Sequence, residues 1–156
     1  MKNTIVGIEN EYSVKVINKL NGLLANYQIH YQNLRGLHWN IKGKNFFELH
    51  VKFEEYYGDS QLKIDEIAER ILTLGGTPLH TFTDYLEVSK IAVGKNVSND
   101  VEAVNLVVAG YSQLLDLERE ILNLSGDADD EGTNSMVSDF ISEQEKTLWM
   151  LNSWLG

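Results

Sequence analysis

The sequence predicts an all-α protein: four long helices in one bundle, with a short fifth helix in a single long connection. Three observations carry this. Proline occurs once in 156 residues, so long stretches run without the residue that breaks helices. Apolar residues recur at three- and four-residue steps over most of the chain, the period of an amphipathic helix. Glycine-containing or polar breaks divide those stretches into four.

The first helix is expected from about Glu11 to about Trp39, with Val14, Ile17, Leu20, Leu24, Tyr27, Tyr31 and Leu34 along its core face. Gly43 interrupts. The second is expected from about Asn45 to Leu74 and stops at Gly75-Gly76-Thr77-Pro78, because glycine past the last turn closes a helix and proline cannot continue it. His80 to Gly94 reads as a connector whose FTDYLEVSKI stretch forms a short helix across the gap between two long ones. The third long helix opens near Ser98 or Asn99, where Asn99 and Glu102 have capping-box spacing. Val101, Val104, Val108, Tyr111, Leu115 and Leu122 mark its face, and Gly126 ends it. After the loop DADDEG, the fourth runs from roughly Thr133 to Trp154, with Val137, Phe140, Ile141, Leu148 and Leu151 inside. The crossover spans residues 75–97. One long crossover between two helical hairpins is the ferritin-like arrangement, not a simple up-down-up-down bundle. The length suits a single domain over residues 1–156.

Composition removes several classes of function. Hydrophobic residues make up 43% of the chain, which excludes a disordered one. No apolar run reaches the roughly 18 residues of a membrane span, and MKNTIVGIENEY has no signal-peptide core, so a cytoplasmic protein is expected. The absence of cysteine excludes a disulfide scaffold, a thiolate metal site and thiol-based peroxidase chemistry. Any metal is therefore held by nitrogen and oxygen. The formal net charge of −10 comes without the clustered cations that phosphate binding needs. Cations are the natural partners of such a field.

The second helix carries the chemistry. With His50 as the zero of a helical wheel, Glu54 falls near about 40°, Asp65 near about 60° and Glu69 near about 100°. Phe47, Ala68 and Leu72 share that sector. A stripe of one histidine, three acids and apolar residues is expected to be partly buried. Asp65 and Glu69 are like charges four apart, which destabilises a helix and costs more when buried. No lysine or arginine shares the sector, and Arg70 is expected to pair with Glu66. A bound metal resolves the conflict.

One chain cannot close such a site. His50 and Glu69 lie about 28 Å apart along the helix axis, and Glu54 and Asp65 about 16 Å, whereas metal–ligand bonds are near about 2 Å. Two antiparallel copies about a twofold axis can. His50 of one then approaches Glu69 of the other, and Glu54 approaches Asp65, in a single register that also sets Gly58 against Gln61. Glycine in mid-helix costs about 1 kcal/mol against alanine, and at a crossing it lets two backbones approach. His38 ends the first helix, and the turn at Gly43 brings it beside His50. The candidate site is then His38, His50 and Glu54 from one subunit with Asp65 and Glu69 from its mate. Imidazole with carboxylate and open positions suits iron(II).

HWN, then KxxNFFELH, then IDEIAERILTLGGTP, with the later Leu148-Trp149, resembles the Dps family of mini-ferritins over essentially the whole chain. The resemblance implies a dodecameric hollow shell with a ferroxidase centre at each dimer interface. Iron(II) would be oxidised there, typically by hydrogen peroxide, and the ferric product stored inside. It assigns His38, His50 and Glu54, where many members have aspartate, to one subunit, and Asp65 and Glu69 to the partner. It also places Trp39 beside the first histidine as a residue that passes electrons or absorbs radicals.

Many DNA-binding members carry a lysine-rich N-terminal tail. Here the first dozen residues hold only Lys2, against Glu9 and Glu11, so DNA binding through a tail is not expected. The alternative is a DNA-compacting nucleoid protein of the same fold, with iron binding secondary. A di-iron site inside one bundle wants Glu-x-x-His on two helices, and none of the four histidines has glutamate three residues before it. The acidic loop Asp127, Asp129, Asp130 and Glu131 has two readings: charge complementing the dipole of the next helix, or an iron-attracting funnel at a threefold pore.

Overall fold

The structure, a computed structural model, describes residues 3–156. It contains α1 Asn10–Asn40, α2 Phe46–Thr73, α3 Phe82–Val88, α4 Asp100–Asp127 and α5 Glu131–Leu155. The one β pairing among the described residues is an isolated bridge between Asn3 and Glu9. The chain is the all-α, ferritin-like bundle with a short helix in the crossover. α1 lies against α2, α4 and α3, and α4 against α5.

Local chemistry fixes the ends. Gly75, at φ 88°, donates its N–H to Leu72 O, and Gly76 donates to Ile71 O, both at 2.9 Å. This is the paired Schellman closure that glycine permits. α4 opens with Asn99 Oδ1 accepting from Glu102 N at 3.0 Å, and α3 with Thr81 Oγ1 accepting from Asp84 N at 3.2 Å. Each satisfies a helix-end donor that would otherwise go unpaired.

Tyr27, Leu20, Leu24 and Leu34 of α1, Phe53, Ile67 and Ile71 of α2, Val104 and Leu114 of α4, and Val137 and Phe140 of α5 meet in one core. Val14 and Val101, expected on core faces, are instead 64% and 50% exposed. In the first two turns of α1, Tyr12, Ser13 and Val16 take the buried positions. Two buried asparagines of α1 anchor the crossover on its return. Asn26 Oδ1 accepts from Lys90 N at 2.9 Å, and Asn33 Oδ1 accepts from Gly94 N at 2.9 Å.

Arg70 does not pair with Glu66. Its guanidinium crosses to α5, donating to Asp130 Oδ1 at 2.6 Å and Thr133 Oγ1 at 2.9 Å. Asp130 is the buried N-cap of α5, accepting from Thr133 N at 3.2 Å and from the Tyr12 hydroxyl at 2.8 Å. Burial pushes its carboxyl up, but the Thr133 and Tyr12 donors and the Arg70 charge outweigh burial and hold it below the ordinary value. A buried charge in reach of α2 was the stronger partner for Arg70 than the exposed Glu66. Of the acidic loop, Asp130 is thus a structural cap, while Asp127, Asp129 and Glu131 stay exposed.

Candidate metal centre

His38 ends α1 and His50 sits in the second turn of α2. The turn between them, with Gly43 at φ 109°, brings the two imidazoles face to face, 3.8 Å between centroids and 11° between planes. His38 Nδ1 lies 2.6 Å from His50 O, and His50 Nδ1 lies 2.7 Å from His38 O. A carbonyl oxygen only accepts, so each Nδ1 carries the proton and each Nε2 keeps its lone pair. This reciprocal backbone hold is what orients a metal-binding imidazole. Phe46 stacks on the His50 ring at 4.9 Å, and Tyr57 meets His38 edge-on at 5.5 Å.

Glu54 lies one turn beyond His50, exposed, with the Tyr57 hydroxyl donating to Oε1 at 3.4 Å. Asp65 and Glu69 are further along the same face, and among the described residues their carboxylates have no ion pair or side-chain hydrogen bond. No three histidine, aspartate or glutamate side chains of the one chain, among the described residues, converge on a point that would hold a metal. The structure therefore brings His38 and His50 together, sets Glu54 a turn away, and leaves Asp65 and Glu69 apart from them.

Within the protomer only His50 and Ala68 of the stripe are half-buried, and the rest of it is exposed. Phe47 is 82%, Leu62 67% and Leu72 59% exposed beside the exposed acids. The core face of α2 is Leu49, Phe53, Ser60, Lys63, Ile67 and Ile71, roughly opposite the stripe on a 100° wheel. α2 thus has two faces with apolar residues, and only one meets its own bundle. Apolar content alone does not tell which chain covers a face.

Trp39 follows His38 and is 57% exposed. Arg35 lies 5.0 Å from the Trp39 ring centre and 5.4 Å from that of Tyr31, and Tyr31 meets Tyr57 edge-on at 5.9 Å. Tyr57 was not singled out in the sequence, yet it touches both His38 and Glu54. The signal was its place three residues after Glu54, a neighbouring position on a helix. His30 is buried, its imidazole pushed down to about 3 by desolvation, and packs edge-on to Tyr111 at 4.5 Å. His80 is exposed in the crossover.

Among families of known proteins, the one described as ferritin-like domain matches residues 17–156. The chain is 39% identical over 150 residues to a DNA protection during starvation protein of Porphyromonas gingivalis, covering 96% of this chain and 94% of that one. It superposes on the crystal structure of a Dps protein from Vibrio cholerae O1 with TM-score 0.98 and 51% identity, covering 100% of this chain and 98% of that chain. That structure is described as a member of a broad superfamily of ferritin-like diiron-carboxylate proteins. A Dps protein from Bacillus brevis gives TM-score 0.91 and 34% identity, over 96% of this chain and 100% of that chain.

Proposed function

Given that this chain belongs to the Dps family of ferritin-like proteins, we propose that it oxidises iron(II) at sites shared between two protomers and stores the ferric product within a hollow twelve-subunit shell, protecting the cell from oxidative damage. One observation carries the reading: two stacked imidazoles, each fixed through Nδ1 to the other's backbone, with both Nε2 lone pairs left free at the edge of an exposed acidic stripe. A pair of histidines that only packed would have no need of unpaired carboxylates on the same face.

The stripe supports a twofold partner. In the antiparallel register that sets His50 against Glu69 and Glu54 against Asp65, the exposed Phe47 falls opposite Leu72 and Val51 opposite Ala68. Their apolar area, at about 25 cal/mol per Å² removed from water, offsets part of the cost of bringing three acids together at each site. Iron(II) entering the shared pocket offsets the rest. The donor set of His38, His50 and Glu54 with Asp65 and Glu69 of a second copy, imidazole and carboxylate without sulfur, fits iron.

Iron(II) is substrate and hydrogen peroxide the oxidant. Two iron(II) ions each give one electron, the peroxide O–O bond breaks, and two protons complete two waters. Delivery of both electrons at one site avoids release of hydroxyl radical. The carboxylates favour the ferric state by charge. Tyr57 holds Glu54 in place through its hydroxyl and walls one side of His38. Trp39, beside His38 and under the Arg35 guanidinium, is the residue assigned to take up a stray oxidising equivalent.

The second reading, a DNA-compacting protein, is opposed by the net charge of −10. The test is direct. Purified protein is loaded with iron(II) without oxygen, peroxide is added, and ferric absorbance and particle size are followed together. Fast oxidation by a large assembly, with iron retained in it, is expected. A protein that leaves oxidation at the rate of buffer, or that remains monomeric, refutes the proposal.

A further inference from the structure

A second group of polar side chains lies inside the bundle, away from the α2 stripe. Each long helix contributes to it: Tyr27 from α1, Ser60 and Lys63 from α2, Glu118 from α4 and Gln144 from α5, all buried. The Tyr27 hydroxyl donates to Glu118 Oε1 at 2.8 Å and accepts from Gln144 Nε2. Glu118 Oε2, Gln144 Oε1 and Ser60 Oγ have no partner. A buried atom left unpaired is costly, and Glu118 Oε2 and Gln144 Oε1 belong to the two side chains that share the Tyr27 hydroxyl, so they mark a place built to hold something. Their chemistry is oxygen throughout, the donor type of a hard divalent cation. Side chains from facing helices are how bundles build such sites. Burial pushes the Glu118 carboxyl up to about 8, against the opposing pull of its hydrogen-bond donors and of the Lys63 and Arg119 charges.

Lys63 stands where the interior meets the surface. Its ammonium donates to Asp59 at 2.7 and 2.8 Å and to Glu143 at 2.6 Å, and lies 5.2 Å from the centre of the Phe140 ring. Tyr27 packs edge-on against that same ring at 6.2 Å. Outside Lys63 lies a groove of about 470 Å³ lined by Asp59, Glu66, Asp139 and Glu143, an acidic approach for a cation. Lys63 and Phe140 themselves line this groove.

We propose that Lys63 guards a latent metal site inside the bundle, whose donors are Glu118, Gln144 and Tyr27, and that its charge beside Glu118 keeps divalent ions out. The consequence is functional: metal is confined to the stripe shared between protomers, because the interior site is closed by the chain itself.

The assembled full chain tests this with Mn(II), its bound stoichiometry read by electron paramagnetic resonance beside wild type. Lys63→Gln is expected to bind about one more Mn(II) per chain than wild type, and the double variant with Glu118→Gln to lose that gain. Glu118→Gln alone is expected to match wild type. A Lys63→Gln protein of unchanged assembly and helicity that gains no Mn(II) overturns the proposal. So does a gain that survives Glu118→Gln, which puts the ion on Asp59 and Glu143 at the rim. A loss of Mn(II) in Glu118→Gln alone also overturns it, since the interior would then already hold metal. This last arm does not depend on how well Lys63→Gln folds. Comparison with wild type throughout keeps the outcome independent of what the sites shared between protomers bind.

Discussion

Single atoms decide the chemistry. The two Nδ1–H···O=C bonds between His38 and His50 are made to backbone, so neither needs a particular neighbouring side chain. His50→Ala keeps the His38 Nδ1 bond but removes one lone pair and the stacked ring. We expect it to assemble and to oxidise iron at least ten-fold more slowly, given that loss of even a supporting group costs about 10–100-fold at metal sites. Wild-type rates in this variant would remove His50 from the ligand set. Glu118 sets a different readout. Burial raises its carboxyl to about 8 from an ordinary 4.5, so the folded protein holds the proton more tightly than the unfolded chain. The resulting stability is fully present below about pH 4.5 and is lost as pH rises through about 8. At about 1.4 kcal/mol per pKa unit this is several kcal/mol. Glu118→Gln should flatten the decline in thermal midpoint between those pH values at fixed protein concentration. His30 acts at the other end. Its imidazole is lowered from 6.5 to about 3 by burial, so its contribution is present above pH 6.5 and is lost as pH falls toward 3.

Helix ends differ in how much they carry. Asn99 caps α4 at the surface through a single bond to Glu102 N, and Asn99→Ala should cost about 1 kcal/mol. Asp130 caps α5 while buried, and also receives Arg70 from α2 and Tyr12 from α1. Asp130→Ala strands a partly buried guanidinium as well as a helix end, so it should cost about 3–5 kcal/mol. Chemical denaturation of the two variants side by side checks the ranking, and equal costs would show that Asp130 is no more than a cap. Both caps lie on residues that attract attention in the sequence, and each has its capping partner three residues on. What the sequence hid was the rest of the Asp130 set, Arg70 and Tyr12, which lie 60 and 118 residues away. The same distance hid the Arg70 pairing, for which the nearer Glu66 was the obvious choice.

At the scale of the whole molecule, the proposed site needs a second copy of the chain, since no three metal-ligating side chains among the described residues of one chain converge. An added Cβ at Gly58 would meet nothing within 4 Å in its own chain. Gly58→Leu therefore leaves the protomer's packing alone and obstructs only a partner laid across α2. It should yield a folded, helical protein of reduced mass by light scattering, with iron oxidation lost in parallel. Full assembly with Leu at this position would mean that α2 does not cross its partner at Gly58.

The sequence by itself determined the helices, their stops, the long crossover and the stripe of His50, Glu54, Asp65 and Glu69, because these depend on spacing along a 3.6-residue period and on residues close in the chain. It also brought His38 next to His50, since one glycine turn separates them. Only the tertiary structure decided which face of α2 the bundle covers, which nitrogens of the histidines remain free, and that Lys63, Glu118 and Gln144 share an interior. The covered face and the shared interior are settled by contacts between segments tens of residues apart, and the histidine nitrogens by bonds across a 12-residue turn; pairwise contacts of either kind leave no period in the sequence to read.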